Sequence, residues 1–544
     1  MFSLRKSVCP LLLLSALSIS SSSSSATAQA IVSEPSQPTV QQLQREIDEL
    51  RAEIRDLKAN RVTPADRADN LDRPAPKSVA GSPEGSPPQP IAESFVDPPS
   101  PPVGALLRST SASSERPAPV IVDNQTPFAF ADFTWLNGNP RTETPAFDSK
   151  FFTPEIRSDV NYTYDFRHPQ DDTISGSSEI FRSNEVQLTQ LGVGGDFHFD
   201  NVRARLMTQF GMYSQTTPRN DASPARGQWN LADAYRYLSE AYGGYHFDVQ
   251  HGINVDAGIF MSYVGLFSYY QFDNWAYQPS YVSSNTPWFF NGVRIQWFPT
   301  NKLKIEPWFV NGWQSYGRFN NRPGIGGQIL YRPNGSWSIL GNQYALGRDD
   351  LGIPNRTRFH TDDSVEYKYM DRADSRYVSK AAATLTGDLG CETGGGVSCF
   401  GNGKNGPKQS FVGFMAYNRF WFDRNLYALT LGGGRINNPG RYLVLLPPIN
   451  GATAASGTPY FTENPGDPFK AYDASATADW MPSQYITWRI EYNYRAASVP
   501  YFSGPGGVTP PGGNTGTPGS VVSGWAPDLR RSEQRTTAAI LVKF

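Results

Sequence analysis

The sequence predicts an all-β fold, an antiparallel transmembrane β-barrel of about sixteen strands, with an N-terminal coiled-coil helix in front of it. Three observations predict it. In the last stretch, Ser532 to Phe544, Thr536, Ala538, Ile540, Val542 and Phe544 fall on one side, while Arg535, Thr537, Ala539, Leu541 and Lys543 fall on the other. A strand whose outward face meets lipid can end on an aromatic at the membrane boundary. The composition agrees: only 39% of residues are hydrophobic, yet aromatics reach 13% and glycines number 49. Half of each strand of a membrane barrel faces water, so it needs no long apolar run. Beyond the first thirty residues, no stretch approaches the roughly 20 apolar residues of a membrane helix. Third, short turns alternate with long connections along the chain.

Taken in order, residues 1–30 read as a secretory signal: Arg5 and Lys6, an apolar run from Val8 to Ile19, a serine run, and small residues before a cut after Ala30. Residues 31–63 read as a short periplasmic coiled coil. Val40, Leu43, Ile47, Leu50, Ile54 and Leu57 repeat at spacings of three and four, with Glu46 and Glu53 placed to pair with Arg51 and Lys58 of a parallel neighbour. A lone amphipathic helix is the alternative, but one this short is marginal in water. Residues 64–126 are proline-rich and aperiodic, an extended linker. Residues 127–544 form the barrel.

The barrel segment begins clearly at Glu155 to Phe166, where Ile156, Val160, Tyr162, Tyr164 and Phe166 alternate with Arg157, Asp159, Asn161, Thr163 and Asp165. Asp200-Asn201 is a two-residue hairpin turn, followed by Arg203 and Arg205 in alternation with Val202, Ala204 and Leu206. Further short turns fall near 249–252, 299–302, 333–335, 372–374, 423–425 and 482–483. Longer connections fall at about 167–184, 214–234, 263–286, 315–323, 347–361, 387–408, 436–468 and 497–530. Seven turns and eight loops join sixteen strands, with both ends of the barrel on the periplasmic side. Phe128 to Leu136 is aromatic enough for a strand but would break this count, so it is placed in the periplasm or the lumen mouth.

The inward phase carries Arg157, Arg203, Arg205, Arg294, Lys304, Lys368, Arg489, Arg495 and Arg535 against Asp159, Asp165, Glu306, Glu366 and Glu491. This surplus of bases points to a lumen that prefers anions, mixed solvated charges being the plainer reading. Replacing Arg203 and Arg205 together with Glu is expected to leave the barrel folded and to shift selectivity. The third long loop crowds Tyr269, Tyr270, Trp275 and Tyr277 with other rings, either to narrow the channel and stack on sugars or to fix the loop to the wall. Cys391 and Cys399 remain after signal removal and are expected to form a disulfide, two free thiols being the alternative. The stretch offers too few ligands for a metal. His168, His198, His246, His251 and His360 are scattered, so neither metal, cofactor nor enzymatic chemistry is expected. Net charge is −2, which gives no support to a nucleic-acid partner.

Ala131 to Asn139 (ADFTWLNGN), Leu238 to Tyr242, Ala257 to Phe260, Asn291-Gly292-Val293 and Asn311-Gly312-Trp313 together resemble the OmpL-like beta-barrel porins. The resemblance covers about Phe128 to Phe544. It departs at Ile259, where a basic residue is expected. It implies an outer-membrane pore for passive diffusion of small hydrophilic solutes, in contact with outer-membrane lipid and delivered by the barrel assembly machinery. Copies would associate through the coiled coil. The tail and linker also resemble those before phosphate-selective and carbohydrate porins. A non-conducting structural or adhesive surface barrel is the alternative from another class.

Overall fold

Alternation of apolar and polar residues gives each strand two unlike faces, and the sheet they form closes on itself. The computed structural model describes residues 126–130, 144–218, 221, 223, 227–284, 286–318, 322–345, 355–401, 405–439, 467–513 and 521–544. The signal, the heptads and nearly all of the proline-rich linker lie outside the described residues, as do Ala131 to Leu136.

The strands are β1 (Phe152–Asp165), β2 (Val186–Phe199), β3 (Val202–Thr208), β4 (Leu238–Phe247), β5 (Ile253–Met261), β6 (Phe289–Thr300), β7 (Leu303–Val310), β8 (Gly324–Asn334) and β9 (Trp337–Ala345). They continue as β10 (Thr357–Asp371), β11 (Val378–Thr393), β12 (Ser410–Phe422), β13 (Tyr427–Pro439), β14 (Pro468–Ser483), β15 (Ile486–Ala497), β16 (Phe502–Ser503), β17 (Leu529–Arg530) and β18 (Ser532–Lys543). All but β16 and β17 form one closed antiparallel barrel of sixteen strands. The terminal strand β18 pairs with β15 on one side and β1 on the other, which leaves no free edge. Phe544 completes the seam by donating its N–H to the Ile156 carbonyl at 2.9 Å.

The faces are inverted relative to a water-soluble protein. On β1, Ile156, Tyr162 and Tyr164 are exposed, whereas Arg157, Asp159, Asn161, Thr163 and Asp165 are buried toward the lumen. The outer belt is apolar and aromatic, as lipid requires. The barrel is also sheared. One register row runs from Arg203 through Gly244, Asp256, Arg294, Trp308, Gly326, Tyr344, His360 and Gly390 to Phe411. It starts beside a short turn and ends near the long-loop end of β12, so rows climb toward the long loops with strand number.

The short turns stand where the sequence places them, with some bounds moved. Asp200 (φ 49°) and Asn425 (φ 71°) occupy the left-handed region, which Asn and Asp tolerate better than other side chains. Gly387 to Thr393 is not the start of a loop but the end of β11: Asp388 faces in while Leu389 faces out, so period two continues through the glycines. Thr357 to Thr361 is likewise the start of β10. Within the last long loop, β16 and β17 pair as a small separate two-stranded sheet, which no sequence period announces.

Of the aromatic stretch placed in the periplasm or the lumen mouth, Phe128 and its described neighbours pack on the rim of short turns. The Phe128 N–H donates to the Asn301 carbonyl at 2.7 Å, its ring meets Phe298 edge-on at 6.1 Å, and Arg332 lies 5.2 Å from its centre. Gly432 and Gly434 explain the glycine triplet of β13. A Cβ on Gly432 would lie 2.1 Å from the Tyr417 ring, and one on Gly434 would lie 2.4 Å from the Ser280 hydroxyl of the third long loop. These glycines make room for what the barrel holds inside.

Candidate pore and its constriction

The third long loop, residues 262–288, leaves β5, crosses the lumen and returns to β6. Its far end is seated by two carboxylates of the opposite wall. Glu491 accepts the N–H groups of Tyr277 and Gln278 at 2.6 and 2.9 Å. Asp473 accepts the Ser280 hydroxyl at 2.8 Å and the Tyr281 N–H at 3.0 Å. Backbone N–H groups of an irregular segment have no ladder of their own, so buried carboxylates satisfy them.

The four rings expected at a constriction are all buried in this loop, and their polar ends are bound to the wall. The Tyr269 hydroxyl donates to Gln209 at 2.6 Å, Tyr270 to Glu240 at 2.6 Å, and Tyr277 to Asp159 at 2.7 Å. Trp275 meets Trp421 edge-on at 5.5 Å, and its carbonyl accepts from Arg419 at 3.3 Å. With the rings buried and the three tyrosine hydroxyls engaged, these side chains fix the loop to the barrel.

The wall residues separate into three places. Asp159, Arg489, Glu491 and Arg495 lie beneath the loop. Arg489 is held by Asp479 at 2.7 Å and donates to the carbonyls of Asn274 and Gln271 at 2.6 and 3.2 Å. Arg495 donates to the Gly176 carbonyl at 2.6 Å and stacks on Tyr281 at 3.8 Å. Arg535 pairs with Glu533 at 2.9 Å. These side chains serve the packing between loop and wall rather than an open water path.

A second group surrounds a cavity of about 250 Å³ on the other side of the loop, lined in part by Glu155, Arg157, Arg205, Glu240, Asp273 and Lys543. Arg157 pairs with Glu155 and, at 2.9 Å, with Asp273, and lies 3.9 Å over the Tyr270 ring. Arg205 meets three acids: Asp196 at 2.8 Å, Glu240 at 2.9 Å and Glu155 at 3.1 Å. Arg203 is 3.3 Å from Asp256 and keeps 27% of its side chain exposed. The third group runs along β5 to β7. Arg294 pairs with Asp256 at 3.0 Å and donates to the Tyr263 hydroxyl at 2.6 Å. Lys304 pairs with Glu306 at 2.7 Å.

The surplus of bases counted from sequence therefore disappears. Glu155, Glu240, Asp256, Asp473, Asp479 and Glu533 belong to the same inner wall and face those bases, and the further inward bases Arg332, Arg358, Arg419 and Lys543 are offset by Asp362, Asp388 and Glu392, so the two signs are close to even. Glu155 and Glu533 each stand two residues from a chosen Arg and were legible from phase. Asp273 sits on an irregular loop, where phase gives no signal.

Cys391 and Cys399 are joined as a disulfide with Cα atoms 5.0 Å apart, tying the end of β11 to the loop after it. At the mouth formed by the long loops, Asp171 of the first long loop clasps the last one. Its carboxylate accepts the N–H groups of Val508 and Thr509 at 2.8 and 2.7 Å and the Thr509 hydroxyl at 2.6 Å. Burial alone would raise the Asp171 pKa, but these hydrogen bonds outweigh it and hold the group below the usual carboxylate value. A depressed folded-state pKa means the clasp is fully present above the ordinary Asp value and is lost as pH falls through the lowered one. Amide exchange at Val508 and Thr509 should thus stay protected at pH 5 to 7 and accelerate only in stronger acid, and Asp171→Asn should remove that acid step.

A family model described as "Putative beta-barrel porin-2, OmpL-like" matches residues 158–523. Among curated proteins none matches the chain in sequence. Solved structures similar to it include the trimer form of OmpT, an outer-membrane protein of Vibrio cholerae, at 9% identity and TM-score 0.41, covering 73% of this chain and 100% of that one. An anion-selective porin from Comamonas acidovorans is 10% identical with TM-score 0.43, covering 72% and 99%. The outer-membrane channel DcaP of Acinetobacter baumannii is 12% identical with TM-score 0.40, covering 74% and 100%. With a sixteen-strand barrel, an inner wall of paired charges and a family match across most of that barrel, the chain belongs to the OmpL-like porins of the outer membrane.

Proposed function

We propose that this porin is a narrow channel for passive diffusion of small hydrophilic solutes, with weak charge preference, and not an enzyme. The observation that carries the reading is the charged cavity of about 250 Å³ between the third loop and the wall of β1 to β5. A solute there meets paired cations and anions, which favour water and polar groups while offering no net field of one sign. The rings of Tyr269, Tyr270 and Tyr277 are already bound to wall acceptors, which weighs against a sugar-stacking site. Outer-membrane lipid is the barrel's surroundings, and insertion by the barrel assembly machinery and a periplasmic coiled coil belong to the same proposal.

A second reading has its own support. Asp362, Asp388, Thr386, Glu491 and Arg535 on the inner wall of β10 to β18 are almost fully buried, as in a closed or structural barrel. Reconstitution into planar bilayers and liposomes distinguishes the two. The diffusion reading expects small single-channel steps and swelling rates that fall steeply with sugar size; folded protein without steps or swelling would establish the closed barrel instead.

A further inference from the structure

The belt that faces lipid is apolar on most strands, but β9 and β10 carry polar side chains there, as β13 does at Arg435. Ile339, Tyr367, Leu385 and Leu389 are exposed on β9 to β11 as expected, and among them stand Gln343, Thr361 and Asp363, also outward. Gln343 donates to the Thr361 hydroxyl, which donates in turn to Asp363 at 2.9 Å. Asp363 lies four residues from exposed Tyr367 toward the periplasm and four from exposed Phe359 toward the exterior. At the rise of a tilted strand, each aromatic is about 10 Å away, so the carboxylate sits near the middle of the hydrocarbon band. Lipid tails cannot hydrogen-bond it.

The surface around it has the shape of a contact. Both cross-strand neighbours of Asp363 are glycine, Gly341 and Gly387. A Cβ on Gly387 would meet nothing within 4 Å, so the sheet is dented beside the carboxylate. Toward the exterior the same face opens into a hollow of about 410 Å³, lined by Phe359, Leu389, Val412, the Cys391–Cys399 bridge and Phe400. From these features we propose that β9 to β11 form the face on which a second copy of this barrel docks within the membrane plane.

A second copy is favoured by two observations. First, the patch is self-complementary. Gln343 stands one strand back and two register rows above Asp363, and because rows climb with strand number the two lie within about 3 Å in depth. A two-fold axis along the membrane normal between β9 and β10 then sets Asp363 of each copy against Gln343 of the other. The Gln343 amide has two N–H groups, of which Thr361 takes one. Second, residues 126–130, ahead of the barrel, pack on the rim below this face. A Cβ on Gly335, in the β8–β9 turn, would be 3.4 Å from the Phe130 carbonyl, and Lys302 lies 6.0 Å from the Phe130 ring. Rows that climb with strand number put β8–β9 at the periplasmic edge directly beneath Asp363. Residues 126–130 tether the preceding chain on this rim, so pairing of the heptads expected from sequence would raise the concentration of one such face near another.

Site-directed cross-linking of the full-length protein in native membranes tests this, since its two mature cysteines are already bridged. Val365→Cys, outward and next to the patch, should give an oxidised dimer, while Ile490→Cys on the far wall should give none. Adding Asp363→Leu to Val365→Cys should cut the dimer at least tenfold, and Asp363→Asn, which keeps a hydrogen-bonding group, should retain most of it. Heat-modifiable gel mobility confirms that each variant is folded. No dimer at Val365→Cys in folded protein means the face meets lipid, and a product of another mass means it meets a different protein; either result overturns the proposal. Equal cross-linking at both positions, or a dimer indifferent to Asp363→Leu, overturns it as well.

Discussion

Arg205→Glu is expected to prevent the barrel from assembling, while Arg203→Glu should leave it folded. The two residues look equivalent in sequence, both inward on β3 and two positions apart, and their joint reversal reads from sequence alone as a change of selectivity. Their surroundings separate them. Arg205 is hydrogen-bonded or paired with Asp196, Glu240 and Glu155 at 2.8, 2.9 and 3.1 Å, with only 10% of its side chain exposed. Removing one partner from a buried pair costs about 3–5 kcal/mol, because the other charge is left uncompensated. Reversal is worse, since it adds a fourth carboxylate to Asp196, Glu240 and Glu155 and leaves Arg157, already paired with Glu155, and Lys543 nearby to offset them. Arg203 has a single acid at 3.3 Å and 27% exposure, so water can solvate a Glu there. Heat-modifiable mobility on gels reads the first outcome, and reversal potentials of Arg203→Glu in dilute salt should move toward cations. Normal assembly of Arg205→Glu would show that the three acids do not depend on it.

The same pair marks how much was legible in the sequence. Phase along a strand fixes which way a side chain points, and Arg157, Arg294, Lys304, Glu306 and Arg495 all point inward as their alternation requires. Turn chemistry at Asp200-Asn201 fixes the hairpin, and the sum of turns and loops fixes sixteen strands. Which wall residues stay in water is a different matter. It depends on where residues 262–288 lie, and an irregular loop has no period from which its path can be read. So Asp159, Arg489, Glu491 and Arg495, chosen as pore-lining, lie under the loop, while Asp273, which meets Arg157, comes from the loop itself. The glycines of β13 held a clue. Three in a row on a strand signal a close approach, but only the structure names Tyr417 and Ser280 as what approaches.

Replacing both Glu491 and Asp473 with Ala is expected to release the third loop and raise single-channel conductance several-fold without unfolding the barrel. These carboxylates accept four hydrogen bonds from Tyr277, Gln278, Ser280 and Tyr281, and bonds to a charged group contribute about 1.5–3 kcal/mol each. Truncation removes them and leaves three backbone N–H groups buried without acceptors. Water entering to satisfy those groups is itself the opening of the path. Of the attachments that remain, Tyr277 to Asp159 and the Arg489 bonds to loop carbonyls hold the near part of the loop, while the turn Tyr281–Ser284 loses its charged acceptors and keeps the Ser280 N–H on the Tyr417 hydroxyl at 3.0 Å and Arg495 over the Tyr281 ring, which hold it less firmly. The barrel wall does not rely on either carboxylate for its closure, because β14 and β15 are joined by a continuous ladder from Ala471–Ala497 to Trp480–Trp488. Bilayer recordings on the refolded double variant give the result. Larger steps together with passage of larger sugars would identify this loop as the constriction. Unchanged conductance in a barrel that migrates as folded would place the narrowest point elsewhere in the lumen.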